Sequence, residues 1–490
     1  MNNKKNAISS IMTQCVTMIQ GLILPRLILA TFGSDVNGLI NSITQFLGFI
    51  SLLEGGLGAV VLAELYRPIE DKNENEIRNI LEACQAFFNK ISIVFIAYII
   101  ALSIVYPFLV KKEFSFGYTA SMIMILSLVT LAQYLFSITY RLFLQADQRL
   151  YVVNYISSIT IIINTASAAA IIYLFPNIHV VKLCSGIIYL LQPFAYKHFV
   201  EKKYRLKAGF RICVSKGVLV NRWSGFWQNL AHFINMNTDV AVLTIFTSLG
   251  TVSVYTVYLM AISALRGILS SFCNSYQSAL GKYIAEDNIE TLCDKFKKFE
   301  SWSWFLCIAT FATCLLLINP FVKLYTSGIH DENYFQPIFA IIIVLANAVY
   351  SVREPYRLLI LAAGKFKETN FGSTMEAVLN LVISIILVWK FGLIGVAIGT
   401  LIAIGYRYIY FLLYLKKHII YREYHSYMLY FATSTIVFAI NIYIYFNFGI
   451  TADSFMKFLE YGILILAINI FLYQGLYHGF VFIQKALFKK

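Results

Sequence analysis

Arg266 is the only charged residue in an apolar run, Thr251 to Leu280, that is long enough to cross a bilayer. A guanidinium at that depth costs roughly 3 kcal/mol or more unless it faces protein or a water-filled cavity, so it calls for a function. Thr256, Ser263, Arg266, Ser270 and Asn274 follow one another at intervals of seven, three, four and four, which places all five on one face of a straight helix. That face reads as the wall of a polar cavity.

Other charges lie at membrane depth. Glu54 sits in Ser51-Leu52-Leu53-Glu54-Gly55-Gly56-Leu57-Gly58, where the glycines allow close helix packing or local unwinding and Ser51, Glu54 and Gly58 share a face. It reads as an ion-pair partner across a cleft, as a protonatable coupling group, or as a structural pair inside one bundle. Arg26 follows Pro25, and the position 214 residues later adjoins Asp239, so opposite charges occupy nearly equivalent outer-half positions. The polar stripe Ser10, Thr13, Gln14, Thr17, Gln20 does not reach Arg26 on a straight helix; either Pro25 kinks the helix into line or Arg26 snorkels outward. Arg222, Arg353 and Glu354 are placed toward the inner side, at a cytoplasmic entrance where arginines would hold phosphate through their planar forks. Arg357 has a repeat counterpart in Arg141, which favours a structural role for that pair, and Arg407 reads as a snorkelling anchor.

The seven histidines show no ligand spacing, the eight cysteines contain no CxxC pair, and neither a glycine-rich nucleotide loop nor a DxD motif occurs. No metal site and no cofactor follow. An intramembrane carboxylate such as Glu54 or Asp239 would instead couple the protein to a sodium or proton gradient.

The chain that positions these residues has 490 residues, 59% hydrophobic and 13% charged, with a mean hydropathy of +0.71. Soluble domains carry about 25% charged residues, so the composition is that of a membrane protein. Repeated apolar runs of about 20 residues specify an all-α polytopic fold of about 14 transmembrane helices rather than a barrel. The spans fall near 8–30, 38–62, 91–110, 117–140, 151–174, 178–199, 219–246, 252–280, 302–322, 334–362, 372–389, 393–415, 426–447 and 456–482. Basic residues crowd the side of the termini, while the other side holds only Lys111, Lys112, Lys182, Lys323, Lys390 and Lys457, which makes both termini cytoplasmic. The net charge of +14 is thereby assigned to topology, not to nucleic acid. The segments 63–90 and 281–301 read as helices lying along the membrane surface.

The first 415 residues repeat. Tyr140-Arg141-Leu142 recurs as Tyr356-Arg357-Leu358, Asn154 as Asn370 and Asn164 as Asn380, each 216 positions on. This predicts two pseudo-symmetric six-helix lobes, 1–216 and 217–418, followed by two C-terminal helices in 419–490. Parallel six-span repeats are typical of carriers that bind substrate between two bundles and rock them about it.

Twelve spans in two lobes, two further spans, Gly33-Ser34-Asp35-Val36-Asn37-Gly38-Leu39 after span 1 and Leu53-Glu54-Gly55-Gly56-Leu57-Gly58 in span 2 together resemble the bacterial polysaccharide repeat-unit flippases. Those belong to the multidrug/oligosaccharidyl-lipid/polysaccharide (MOP) exporter superfamily. The resemblance implies a MATE-like fold in the bacterial cytoplasmic membrane and transfer of an undecaprenyl-diphosphate-linked oligosaccharide from inner to outer leaflet by alternating access. Polysaccharide polymerase and glycosyltransferases would be its partners. Related lipid II flippases use cavity arginines on spans 1, 2 and 8; Arg26 and Arg266 match two of these by position, whereas span 2 offers Glu54, which favours a capsule, O-antigen or teichoic-acid-like unit. Arg266, with Arg26, would draw the diphosphate or acidic sugars into a central cavity, and Glu54 and Asp239 would pair with these cations when it is empty. Two other readings stand beside this one: an ion-coupled multidrug exporter of the same superfamily, and a membrane polysaccharide polymerase or ligase.

Overall fold

The computed structural model describes residues 2–54, 57–110, 112–204, 237–276, 280–281, 283–284, 289–365, 368–420 and 424–487. Among them every regular element is helical. Among the described residues, twelve helices are long and apolar enough to cross a membrane. One of these, Lys4–Glu54, contains both span 1 and the start of span 2, and span 7 is described only as the short apolar helix Asn237–Phe246, which together account for the fourteen expected. The chain divides into two compact units, 1–233 with 248–253, and 234–247 with 254–490. The expected lobe boundary at 216/217 lies outside the described residues.

In the first unit, spans 1 and 2 form one element, Asn2–Gly48, interrupted at Gly33 (φ 84°, ψ 176°), a conformation that a side chain with a Cβ resists. Span 2 then tightens into a 3₁₀ turn over Phe49–Glu54, and the helix Leu57–Glu70 follows; Gly55 and Gly56 lie outside the described residues. The polar stripe of span 1 is spent on neighbouring helices: Thr13 Oγ1 lies 2.8 Å from Ser158 Oγ, Asn154 Nδ2 donates to Ser9 and Ser10, and Gln20 donates to the Tyr189 hydroxyl. Such bonds replace water inside the bilayer.

Among the described residues, the two mixed-charge segments are continuous with the neighbouring spans. After a turn at 71–72, Asn73 Oδ1 accepts from Glu76 N, Glu74 and Glu76 occupy the first turn, and the helix runs without interruption to Leu109. A side-chain cap and early acidic residues suit a helix N-terminus wherever it stands. Residues 289–301 likewise run on into span 9 as Ile289–Tyr325. Charge pattern alone does not tell a helix lying on a membrane from one that projects out of it.

Spans 4 and 10 are both broken toward their C-terminal ends. Span 4 is Phe116–Ala132, a π turn Gln133–Ser137, then Ile138–Ala146; span 10 is Pro337–Val352, a break at Arg353, then Glu354–Ala362. Ser137 and Arg353 are 216 positions apart, so the interruption belongs to the repeat.

In the second unit, spans 11 (Asn370–Phe391) and 12 (Leu393–His418) touch backbone to backbone. A Cβ on Gly399 would stand 2.3 Å from Ser384 Oγ, and one on Gly395 2.4 Å from the Leu387 carbonyl oxygen. This is the small-xxx-small packing of membrane helices. Span 14 is tied in through Asn469, which donates to Thr313 Oγ1 of span 9 at 3.2 Å and accepts from Asn441 of span 13 at 2.8 Å.

Candidate functional site

Span 8, Leu249–Ser275, is an unbroken helix, so the interval rule applies directly. Ser263, Arg266 and Ser270 line one cavity of about 250 Å³ in the second unit, with Gly267 and Leu269 of the same helix and Tyr350, Ser351 and Glu354 of span 10. Asn274 is exposed and does not line it. Glu354, expected at a cytoplasmic entrance, also lines the Arg266 cavity.

Arg266 Nη1 donates to Asn347 Oδ1 at 3.1 Å, and its Cζ lies 3.8 Å from the centroid of the Tyr350 ring. Asn347 is fixed by its own amide, which donates to the Ile343 carbonyl at 2.7 Å. A guanidinium over an aromatic face is attracted by the ring quadrupole, most strongly where water is excluded. Arg353 approaches the same ring, its Cζ 4.3 Å from the centroid.

Arg353 does not face an entrance. It is 4% exposed, and its Nη1 is bonded to Glu376 of span 11. Arg407 Nε stands 3.8 Å from the other oxygen of Glu376, while its Nη1 donates to the Thr369 carbonyl at 2.9 Å and its Nη2 to Ser373. Arg407 is therefore no snorkelling anchor but one arm of a buried Arg-Glu-Arg cluster. Gly372 makes room for it, since a Cβ there would lie 2.4 Å from Nη1. Arg357 donates to Glu354 Oε2 from Nε and Nη2 at 2.9 and 2.8 Å. Arg222 lies outside the described residues.

Asp239 forms a second polar centre in the same unit. It is 5% exposed, and its Oδ2 accepts from the Tyr255 hydroxyl at 2.6 Å and the Thr400 hydroxyl at 2.7 Å, its Oδ1 from Asn380 Nδ2 at 3.2 Å. Asn380 Oδ1 accepts in turn from Ser384, and Thr400 also reaches the Val396 carbonyl. The expected pairing of Asp239 with an arginine is replaced by three neutral donors, which satisfy a buried carboxylate without a second charge.

The comparisons with solved structures meet this architecture. The lipid II flippase MurJ in an inward closed conformation superposes with a TM-score of 0.70 at 17% identity, covering 96% of this chain and 98% of that one. An inward-facing multidrug resistance MATE family transporter of the MOP superfamily gives 0.58 at 14% identity, covering 83% of this chain and 96% of its own. A MOP superfamily transporter from Pyrococcus furiosus, described as having a binding pocket of reverse polarity that suggests a different function, gives 0.55 at 12% identity, covering 85% of this chain and 95% of its own. The fold is that of the MOP transporters. No family profile and no curated protein sequence matches the chain.

Within this MOP fold the first unit holds the remaining expected residues. Glu54, at the end of the 3₁₀ turn, accepts from the Tyr134 hydroxyl at 2.6 Å, and Tyr134 stands in the π turn of span 4. Two backbone irregularities are thus joined by one hydrogen bond. Arg26 is half-buried one residue after Pro25, which lies inside the helix. Tyr350, Asn347 and Ser351 were not singled out from sequence, although Tyr350 had a signal: it is the repeat counterpart of Tyr134.

Proposed function

We propose that the protein is a flippase of the bacterial cytoplasmic membrane, with both termini cytoplasmic, that moves an undecaprenyl-diphosphate-linked oligosaccharide repeat unit from inner to outer leaflet by alternating access, for surface polysaccharide synthesis. Glycosyltransferases and a polymerase act before and after it. The observation that carries this reading is the Arg266 cavity. A guanidinium, hydroxyl groups and an aromatic ring gathered at membrane depth suit an anionic, hydroxyl-rich headgroup, while a prenyl tail stays in lipid. The MOP fold supports carriage rather than chemistry. A cationic drug is a poor match for a cavity lined by an arginine.

The Asp239 centre is the proposed coupling site. Its oxygens, from one carboxylate, the Asn380 amide, two hydroxyls and the Val396 carbonyl, fit a sodium ion or a proton. Binding there would neutralise the carboxylate and bias the packing of spans 7, 11 and 12.

The test is leaflet translocation in proteoliposomes at matched protein. Arg266→Ala should lower the rate about 10- to 100-fold, the loss of one charge-assisted contact, and Arg266→Lys should restore part of it. Full activity in both variants overturns the reading.

A further inference from the structure

Span 14, Phe455–Leu487, carries amides on two opposite sides. Asn469 is buried, holding Thr313 and Asn441, and Ile465 and Tyr473 are buried on the same side. Gln474 and His478 stand about 140° and 180° around the helix from Asn469, at roughly 100° per residue, and both are exposed. The Gln474 amide has no hydrogen-bond partner among the described residues. Gly475 adjoins it, and a Cβ there would meet nothing within 4 Å.

The depth of Gln474 makes this costly. Glu460 and Lys485 bracket 24 residues without a formal charge, about 36 Å of helix against roughly 30 Å of hydrocarbon, and Gln474 lies about 2 Å from the middle of that stretch. A glutamine is too short to snorkel across the roughly 15 Å to either interface, and an amide left unmatched in hydrocarbon costs several kcal/mol. Its exposed neighbours Ile463, Leu464, Ile468 and Phe471 are side chains that lipid accepts; the amide is not.

The face carries no charge, so it selects no charged partner, but its donors and acceptors balance against themselves. An amide has an acceptor oxygen and an NH₂ donor, so two copies of one glutamine across a two-fold axis exchange a pair of N–H···O bonds. The chain already joins two of its own spans by an amide pair, Asn441 Nδ2 to Asn469 Oδ1 at 2.8 Å. We propose that this face of span 14 docks a second copy of the chain, with the two Gln474 amides hydrogen-bonded to each other near the membrane midplane and Gly475 letting the backbones approach. The neutral imidazole of His478, one turn on, is also both donor and acceptor. The inference holds whichever substrate the carrier moves.

The experiment follows energy transfer between donor-labelled and acceptor-labelled full-length chains in liposomes as the lipid-to-protein ratio is raised. The wild-type chain should associate in a density-dependent way, as a dimer. Gln474→Leu, a change at an exposed position that leaves the packed side of the helix intact, should weaken association about 5- to 30-fold, the scale of an interhelical polar contact in a membrane. Gln474→Asn keeps an amide and should retain most of it. Association that is absent in the wild type, unchanged in Gln474→Leu, or equally weak in both variants overturns the inference.

Discussion

Tyr134 of the first unit and Tyr350 of the second stand 216 positions apart, each at the broken part of its span, and each meets a charged residue of its own unit. Tyr134 gives its hydroxyl to Glu54 at 2.6 Å, whereas Tyr350 presents its ring to Arg266 at 3.8 Å. A phenol has a donor tip and an electron-rich face, so one inherited residue serves a carboxylate in one copy and a guanidinium in the other. The Asp239 centre shows the same divergence. Asn380, Ser384 and Thr400 correspond to Asn164, Ala168 and Cys184, and in the first unit only the amide survives, with an Oδ1 that accepts no hydrogen bond. The repeat keeps the scaffold, while the buried carboxylate with its three donors is described in the second unit.

The comparison can be broken at four points. Glu376→Gln should have the largest effect, about 3–5 kcal/mol of lost stability, because it leaves Arg353 and Arg407 buried around a neutral amide. Thermal unfolding in detergent reads this; a loss under about 1 kcal/mol would mean that the cluster is better hydrated than its burial indicates. Tyr134→Phe should cost about 1–3 kcal/mol by the same measurement, since Glu54 loses its donor. Asp239→Asn should abolish stimulation of transport by a sodium or proton gradient, measured on protein that still elutes as a folded species; gradient dependence that persists removes Asp239 from coupling. Tyr350→Phe should change stability by less than about 0.5 kcal/mol, because the ring face remains. If the two tyrosine variants behave alike, the division between hydroxyl and ring is wrong.

The helical architecture was legible because a membrane forces every span to declare itself as an apolar run, and the Ser263, Arg266, Ser270 face because helical periodicity is local. What failed was what depends on a second helix. Glu376 sits within the expected span 11, yet depth alone did not reveal that Arg353 and Arg407 converge on it, and Arg407 near a span end looks like any anchor until Gly372 is seen to admit it. Asp239 was matched to a charge because charges are conspicuous in sequence, whereas its partners are a tyrosine, a threonine and an asparagine. In a chain with 33 tyrosines, Tyr255 has nothing to mark it.

The helices Glu74–Leu109 and Glu290–Tyr325 have 36 residues each, about 54 Å at 1.5 Å per residue against roughly 30 Å of hydrocarbon. Their prolines, Pro107 and Pro320, lie near the C-terminal ends, so the long N-terminal parts are free of proline. Each is a lever with its fulcrum in the bilayer. A rotation of about 10° that scarcely moves the midplane swings an N-terminal tip by roughly 7 Å, so whatever grips those tips would set the tilt of the whole helix.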